Sequence, residues 1–309
     1  MKEFVFDLNK NSPDNPLISV ICINKNHGEY IEENILSVLS QNFESFEFII
    51  ADGGSTDDSL KIIGKHRFVK LVSGADKSRI DGLMRALSVA RGRYVMVTTT
   101  TDGYLSRNWF KTASNFLDCD LQTSLVFGAS ARMDSQGSLG SVAFPTIFPF
   151  TKVPPKEKWS SMWLQKGLTS SYFPELNYCV RIDIFRKLMG PSVEFPELND
   201  IDPILRFHFE FNRLGYLPHY IPTLANFGRT HDNQMQASNI NTKFVDAYSN
   251  AWKKYRRRVA FGKCIHYLRD GNGLEITHSR VSLLKRILLL LPQFPNIYPF
   301  IIRRLERFL

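Results

Sequence analysis

Two carboxylates stand where an α/β chain usually keeps its chemistry. Asp52 closes the apolar run "FEFIIADGG" and Asp102 closes "RYVMVTTTTDG", and in open α/β sheets ligands bind outside the carboxyl ends of the strands. Asp52 is followed by two glycines, which let a backbone approach a ligand closely. A turn into a helix from Asp58, capped by Ser55 or Asp57, explains the same letters. Four threonines precede Asp102. β-Branched side chains suit a pleated strand and Asp-Gly forms turns, so the stretch is either a plain strand end or a cation site with a single acid. Mg²⁺ tolerates the second arrangement, because one or two carboxylates plus substrate phosphates and water often hold it.

Three more stretches carry side chains of reactive type. "GADKSRIDG" offers Asp76, Lys77, Arg79 and Asp81, which read equally as a solvated loop with Asp81 in the first turn of the following helix. "NDIDPILR" holds Asp200, a carboxylate of general-base type, although capping by Asn199 and dipole complement by Asp200 and Asp202 account for the same pattern. "GRTHDNQ" holds Arg229 and His231; the histidine is either a metal ligand or an ordinary surface residue.

The elements that must position these groups alternate. "PLISVICIN", "FEFIIADGG", "FVKLVSG" and "RYVMVTTTT" are short apolar runs of buried-strand type. Between them, Ile31, Ile35, Val38 and Leu39 share one helical face, "DDSLKIIGK" is a short helix, and Ile80, Leu83, Met84 and Leu87 recur at helical spacing before Gly92, a residue suited to a C-cap. Such alternation predicts right-handed βαβ units on a parallel sheet. No G-x-G-x-x-G follows the first strand, which disfavours a dinucleotide-binding domain. Further on, two strands meet across Asp134–Gly137, residues 145–176 read as an irregular, aromatic lid or substrate-facing segment, "YCVRIDIFRKLMG" is a strand and a helix, and "NDIDPILRFHFEFNRLG" is a helix with an acidic first turn.

At 309 residues, 43% hydrophobic and 22% charged, the chain is of globular type. The N-terminus lacks the apolar core of a signal peptide, so a cytoplasmic location is expected. Cys22, Cys119, Cys179 and Cys264 lie far apart, which favours reduced buried thiols over zinc or disulfides. The net charge of +9 is concentrated: from Trp252 onward thirteen Lys/Arg face three acids. Pro292 and Pro295 interrupt the apolar tail, leaving no run long enough to span a bilayer. Ile297, Phe300, Ile301, Leu305 and Phe308 share a helical face opposite Arg303, Arg304 and Arg307. This pattern suits an anionic membrane interface or packing on the protein or a partner subunit. No nucleic-acid motif accompanies the charge, and nucleic acid is not an expected partner.

"ISVICINKN", "ENILSVLSQNFESFEFIIADGGSTDDS" and "GADKSRIDGLMRALSVARGRYVMVTTTTDG" resemble, piece by piece and in order, the nucleotide-sugar-binding half of glycosyltransferase family 2. The likeness is strong over residues 17–110 and thinner through "RIDIFRKL", "NDIDPILR" and "GRTHDNQMQAS" to about residue 238. It implies an α/β protein of GT-A fold, with a Rossmann-like, mostly parallel central sheet, flanking helices, and here a helical basic C-terminal tail. Residues 1–110 would form the nucleotide-sugar-binding half, 111–240 the acceptor-binding half of the same domain, and 241–309 the extension. The implied donor-binding residues are Asn24, Asp52, Gly53, Asp76, Asp81, Thr101 and Arg229, with Asp52 accepting the imide N–H of a uracil or thymine ring. The family usually has two or more acids where Thr100, Thr101 and Asp102 stand. Asp102 and His231 would therefore ligate Mg²⁺ or Mn²⁺ with affinity weakened by the missing acid. Asp200 matches the family's catalytic base.

The expected activity is inverting transfer of a sugar, from a nucleotide-sugar (a UDP-sugar first) to a glycan or lipid-linked saccharide. Bacterial surface polysaccharide synthesis at the inner face of the cell membrane would be the setting. The alternative is a non-catalytic nucleotide-sugar-binding or scaffold subunit, suggested by the thinned acidic cluster and by Asn199.

Overall fold

The computed structural model describes residues 4–7, 13–143, 163–164, 178–200, 202–230, 240–261, 267–269 and 275–277. They fall into two compact units that interleave along the chain. The first comprises Met1–Val153, Phe173–Gly190 and Pro218–Ala237, the second Pro154–Tyr172, Pro191–Leu217 and Ser238–Leu309.

The first unit is built on strands β1 (Phe4–Asp7), β2 (Ile18–Asn24), β3 (Phe46–Asp52), β4 (Val69–Ser73), β5 (Tyr94–Thr99), β6 (Gly103–Tyr104), β7 (Thr123–Met133), β8 (Leu139–Ala143), β9 (Tyr178–Arg181) and β10 (Leu217–Arg229). They form one sheet in the order β1-β4-β3-β2-β5-β9-β7-β10-β6, with β8 on β7. The four predicted strands β4, β3, β2 and β5 are the parallel part. The ladders β1–β4, β5–β9, β9–β7, β7–β8 and β10–β6 are antiparallel, so the sheet as a whole is mixed. Its parallel centre reads as unbroken apolar runs because both faces are covered: Val20, Ile21, Phe48, Ile49 and Ile50 are fully buried.

Helices α1 (Gly28–Leu39), α2 (Ser59–Ile63) and α3 (Arg79–Val89) follow β2, β3 and β4, as the alternation predicted. Helices α4 (Trp109–Cys119) and α5 (Ile182–Met189) complete the unit. On α3 the buried face is turned slightly from the expected one. Gly82, Leu83, Ala86 and Leu87 face inward, while Met84 is 41% exposed. Gly92 does not cap this helix, which ends at the extended Ala90. It lies against β2, where a Cβ would come within 2.4 Å of the Ser19 nitrogen. The hairpin at Asp134–Gly137 is present, with Gly137 at φ +85° and the Asp134 carboxylate accepting from the Gln136 and Ser138 N–H groups. Cys22 and Cys179 are buried as expected, but Cys119 is exposed at the end of α4.

The second unit holds helices α6 (Pro203–Arg213) and α7 (Ile240–Ala260) and the pair β11 (Tyr267–Arg269) and β12 (Glu275–Thr277). Its centre is aromatic. Trp163 meets Phe209 edge-on at 5.3 Å, packs on Tyr255 at 5.9 Å and donates its indole N–H to the Tyr248 hydroxyl at 3.1 Å. Trp163 is therefore a core residue and not part of a substrate-facing lid; most of segment 145–176 lies outside the described residues. Arg213 is buried with two carboxylate partners, Glu194 and Glu210, as an ion in the interior requires. No helix among the described residues is long and apolar enough to cross a membrane. The amphipathic pattern after residue 281 lies outside the described residues.

Candidate functional site

The first two acids reach the same edge of the sheet because their strands run in parallel register. Asn24 sits opposite Asp52, and Ile23 opposite Thr99, so β3, β2 and β5 end side by side. The amide of Asn24 joins their ends. Its Nδ2 donates to Asp52 Oδ2 at 2.7 Å and its Oδ1 lies 2.8 Å from the Thr100 hydroxyl. Asp52 is fully buried, and four hydrogen bonds from the protein satisfy it. Oδ1 accepts the N–H groups of Gly54 (3.0 Å) and Ser55 (2.8 Å), while Oδ2 accepts Asn24 and the Ser55 hydroxyl at 2.6 Å. An ionised carboxylate has about four lone-pair sites, and here all four are engaged in shaping the turn. Gly54 takes φ +81° in that turn. Asp57 has the capping role that the sequence allowed. It accepts from the N–H of Ser59, where α2 starts, and from Gly28, where α1 starts. What burial it has raises its pKa, but hydrogen bonds from Ser59 and Gly28 outweigh this and hold it below the usual carboxylate value.

The threonine run divides its labour. Thr100 is buried and spends its hydroxyl on Asn24 and the Ile23 carbonyl, so the position of the missing acid has become a tie between strands. Thr99 donates to Asp102 Oδ2 at 3.0 Å, and Thr101 lies 3.3 Å from Thr99. Asp102 is half-buried, with Oδ1 accepting the Arg229 N–H at 3.3 Å. Asn34 of α1 pins the loop by donating to the carbonyls of Thr99 (3.1 Å) and Asp102 (2.7 Å). The glycine of Asp-Gly is required by packing, since a Cβ on Gly103 would come within 2.7 Å of the Phe227 ring. Arg229 is only 3% exposed and its guanidinium is engaged inside the protein. It pairs with Glu33, donates to the Asp134 carbonyl at 3.0 Å and lies over the Tyr30 ring.

Asp76 follows β4 at the same edge. Its carboxylate is 5% exposed and ion-paired through Oδ1 with Arg85 of α3. Gly53 and Gly82 make room for it: a Cβ on either would meet Asp76 Oδ2 at 2.9 and 2.8 Å. Gly53 thus opens space for a side chain of the protein itself. Asp81 closes a capping box with Ser78, accepting the N–H groups of Lys77 (2.9 Å) and Ser78 (3.1 Å).

Asn24, Asp52, Gly53, Asp76, Thr101, Asp102 and Arg229 all belong to the first unit, whereas Asp200 belongs to the second. The expected helix over "NDIDPILR" begins late. Pro196–Asp200 is a 3₁₀ turn, Asp202 caps α6 by accepting the Ile204 N–H at 2.8 Å, and Pro203 is its first residue. Asp200 therefore lies outside the first turn of α6, and Asn199 is not its cap. The amide of Asn199 instead brackets Ser192, accepting from its N–H and donating to its carbonyl. His231 lies outside the described residues.

Three contributors were missed in the sequence. Asn34 had a visible signal, a polar residue within the apolar stripe Ile31, Ile35 and Val38. Ser55 reads in the sequence only as a cap, yet it serves Asp52 three residues before it, and Arg85 had no such signal because its partners Asp76, Gly74 and Asp52 lie nine or more residues away.

The donor set fits a divalent cation in one way only. Among the described residues no group of three His, Cys, Asp or Glu side chains could hold a metal. Asp102, with neutral hydroxyls beside it, suits Mg²⁺ or Mn²⁺ held chiefly by phosphates of a bound substrate. It does not suit an ion caged by protein alone.

Residues 19–132 match the family described as "Glycosyl transferase family 2". Among curated proteins, an uncharacterized glycosyltransferase of Haemophilus influenzae is 24% identical over 283 residues, 87% of this chain and 80% of that protein. The chondroitin synthase of Escherichia coli is 27% identical over 128 residues, 40% of this chain but 18% of the synthase. An E. coli UDP-Glc:α-D-GlcNAc-diphosphoundecaprenol β-1,3-glucosyltransferase, WfaP, is 31% identical over 93 residues, 29% of this chain and 37% of that enzyme. The chain thus spans well under two thirds of two of these three relatives. Among solved structures, S. aureus TarS 1-349 in complex with UDP-GlcNAc superposes with a TM-score of 0.51 at 18% identity, covering 79% of this chain and 65% of that one. A mannosyltransferase of Pyrobaculum calidifontis in complex with GDP-Man and Mn²⁺ gives 0.50 at 16%, covering 80% and 61%. The sheet, the ordered strand-end motifs and these likenesses agree: residues 19–132 match glycosyl transferase family 2, and the chain has the GT-A fold of these glycosyltransferase structures.

Proposed function

We propose that this chain is an inverting glycosyltransferase that moves a sugar from a UDP-sugar to a glycan or lipid-linked saccharide acceptor in bacterial surface polysaccharide synthesis. The observation that carries the reading is the convergence of Asn24, Asp52, Asp76 and Asp102 on one edge of the parallel sheet, with Asp102 half-exposed. In this reading Asp52 and Gly53 shape the nucleotide turn, Asp76, Asp81 and Thr101 line the donor, and Arg229 supports the Asp102 loop through its backbone N–H. Asp102 and His231 would hold Mg²⁺ or Mn²⁺, which when bound neutralises the diphosphate. Asp200 takes the proton of the acceptor hydroxyl as that oxygen bonds to the anomeric carbon. The bond from that carbon to the diphosphate breaks on the opposite face, its electron pair leaves with UDP, and the configuration inverts.

Two observations support the acceptor and its setting. WfaP, by its name, acts on a diphosphoundecaprenol-linked sugar. Lys253, Lys254, Arg257 and Arg258 of α7 line an open hollow with Asn250 and the exposed Phe261, a surface suited to an anionic membrane face together with the basic tail. A peripheral position at the inner face of the cell membrane follows from this reading.

One observation favours the second reading, a non-catalytic scaffold subunit: the position of the missing acid is filled by a buried Thr100 that serves the fold. Titrating UDP into the purified protein with Mn²⁺ and then with EDTA separates the two. Metal-dependent binding that Asp102→Ala abolishes, with sugar transfer lost in the same variant, supports the enzyme. UDP binding without turnover on any lipid-linked or glycan acceptor sinks it.

A further inference from the structure

Asp52 and Asp76 flank the same turn, yet their carboxylates are held in different ways. Asp52 has every lone-pair site engaged by the turn. Among the described residues Asp76 is held through Oδ1 alone, by its ion pair, and its Oδ2 lies in a cradle between Gly53 and Gly82. The guanidinium of Arg85 determines where that oxygen points. Nη1 pairs with Asp76, while Nη2 reaches the carbonyls of Gly74 at 3.2 Å and Asp52 at 3.4 Å. One planar fork therefore ties the ends of β3 and β4 to the Asp76 carboxylate. Gly74 permits this: a Cβ there would lie 3.3 Å from Arg85 Cζ.

The tie has a cost. Arg85 Nε is buried and finds no hydrogen-bond partner among the described residues, a loss of about 1–3 kcal/mol for a buried donor. A simple ion pair would need only a point charge, which a lysine supplies. Holding one carboxylate and two carbonyls at once needs the fixed geometry of a guanidinium.

We propose that Arg85 is a positioning residue for donor choice, aiming Asp76 Oδ2 as the acceptor for a ring N–H of the nucleotide base. The proposal rests on the reading of Asp76 as a donor-site residue. It has a chemical signature, because N3 of uracil carries a hydrogen and N3 of cytosine does not. A carboxylate aimed at N3 therefore favours UDP over CDP, and a site that leaves a polar group unpaired rejects the wrong ligand strongly.

The test is calorimetric titration of UDP and of CDP into the full-length wild-type protein and into Arg85→Met, Arg85→Lys and Asp76→Ala. The wild type should prefer UDP at least about tenfold. Asp76→Ala should bring the ratio close to one, Arg85→Met should lower it by most of that factor, and Arg85→Lys should restore part of it. A merely structural role for Arg85 would weaken both nucleotides alike and leave the ratio unchanged, which overturns the proposal. If Arg85→Met does not fold by circular dichroism, Arg85→Lys decides alone: an unchanged ratio in it is equally fatal. A wild-type ratio near one is a different failure, since it removes the donor-site reading of Asp76 itself.

Discussion

The ends of β3 and β5 each carry one aspartate at the same edge of the sheet, and the protein treats them in opposite ways. Asp52 is fully buried, with two donors on each oxygen. Asp102 is half-buried, accepting the Thr99 hydroxyl on Oδ2 and the Arg229 N–H on Oδ1. The difference separates two tasks that the sequence alone runs together. Asp52, closed off from solvent with both oxygens doubly engaged, shapes its loop, whereas Asp102, still in reach of solvent, is placed to serve a ligand or an ion.

Removing the two acids should break or confirm that contrast. Asp52→Ala leaves the Asn24 amide, two backbone N–H groups and the Ser55 hydroxyl without their acceptor, and buried orphans of this kind cost about 1–3 kcal/mol each. We expect a loss of at least about 3 kcal/mol in urea unfolding, whatever happens to activity. Asp102→Ala should instead leave stability within about 1 kcal/mol while sugar transfer falls about 100-fold or more. Equal unfolding midpoints for the two variants would erase the distinction.

A gain of charge sharpens it. Thr101→Asp adds a carboxylate beside Asp102 without disturbing the Thr100 tie. Mn²⁺-dependent UDP binding should tighten about thirtyfold, because even in a water-like medium a unit charge about 4 Å away contributes about 1 kcal/mol, and a divalent ion doubles that to about 2 kcal/mol. Thr100→Asp should fail in the same assay by destabilising the sheet, since its position is buried and engaged.

The smallest effect belongs to Asp57, exposed on the same loop as Asp52. Asp57→Ala should cost about 0.5 kcal/mol, the low end for a cap because solvent competes for its partners. Its folded pKa is lowered, so the stabilisation is present above the unfolded value of 3.8 and is lost as the pH falls through the lower folded one. Wild-type and variant unfolding curves should therefore converge in acid.

Stability of the second unit has its own pH signature. Burial pushes the His208 imidazole down to about 3, so the folded chain refuses a proton that the unfolded chain accepts below about 6.5. The stabilisation is present above that value and is lost as the pH falls toward the folded one. His208→Phe should flatten the acid limb between these two values, measured by unfolding at a series of pH values.

Much of the fold is legible in the sequence. The four parallel strands announce themselves as apolar runs, since a strand covered on both faces has no polar side to alternate with. Asp57 as a cap and Asp134–Gly137 as a turn follow from local chemistry. Other elements were hidden because a distant partner creates them. β1 is four residues long and exists as an edge strand through its pairing with β4. The start of α6 was misread because Asn199, Asp200 and Asp202 are all plausible caps; Pro203 at the first helical position singles out Asp202. Arg85 stands four residues after Asp81, the spacing of a helix-face pair, yet its partner is Asp76, nine residues before it.

By itself the sequence determined the alternation of strand and helix, and the acids that end up at strand termini. Both depend on periodicity and on neighbours a few residues away, where local sterics and burial patterns act. Only the tertiary structure decided which acids are satisfied. The capacity of a carboxylate is taken up by donors that arrive from other strands and helices, such as Asn24 on Asp52 and Arg85 on one oxygen of Asp76, and no local pattern records how many will come.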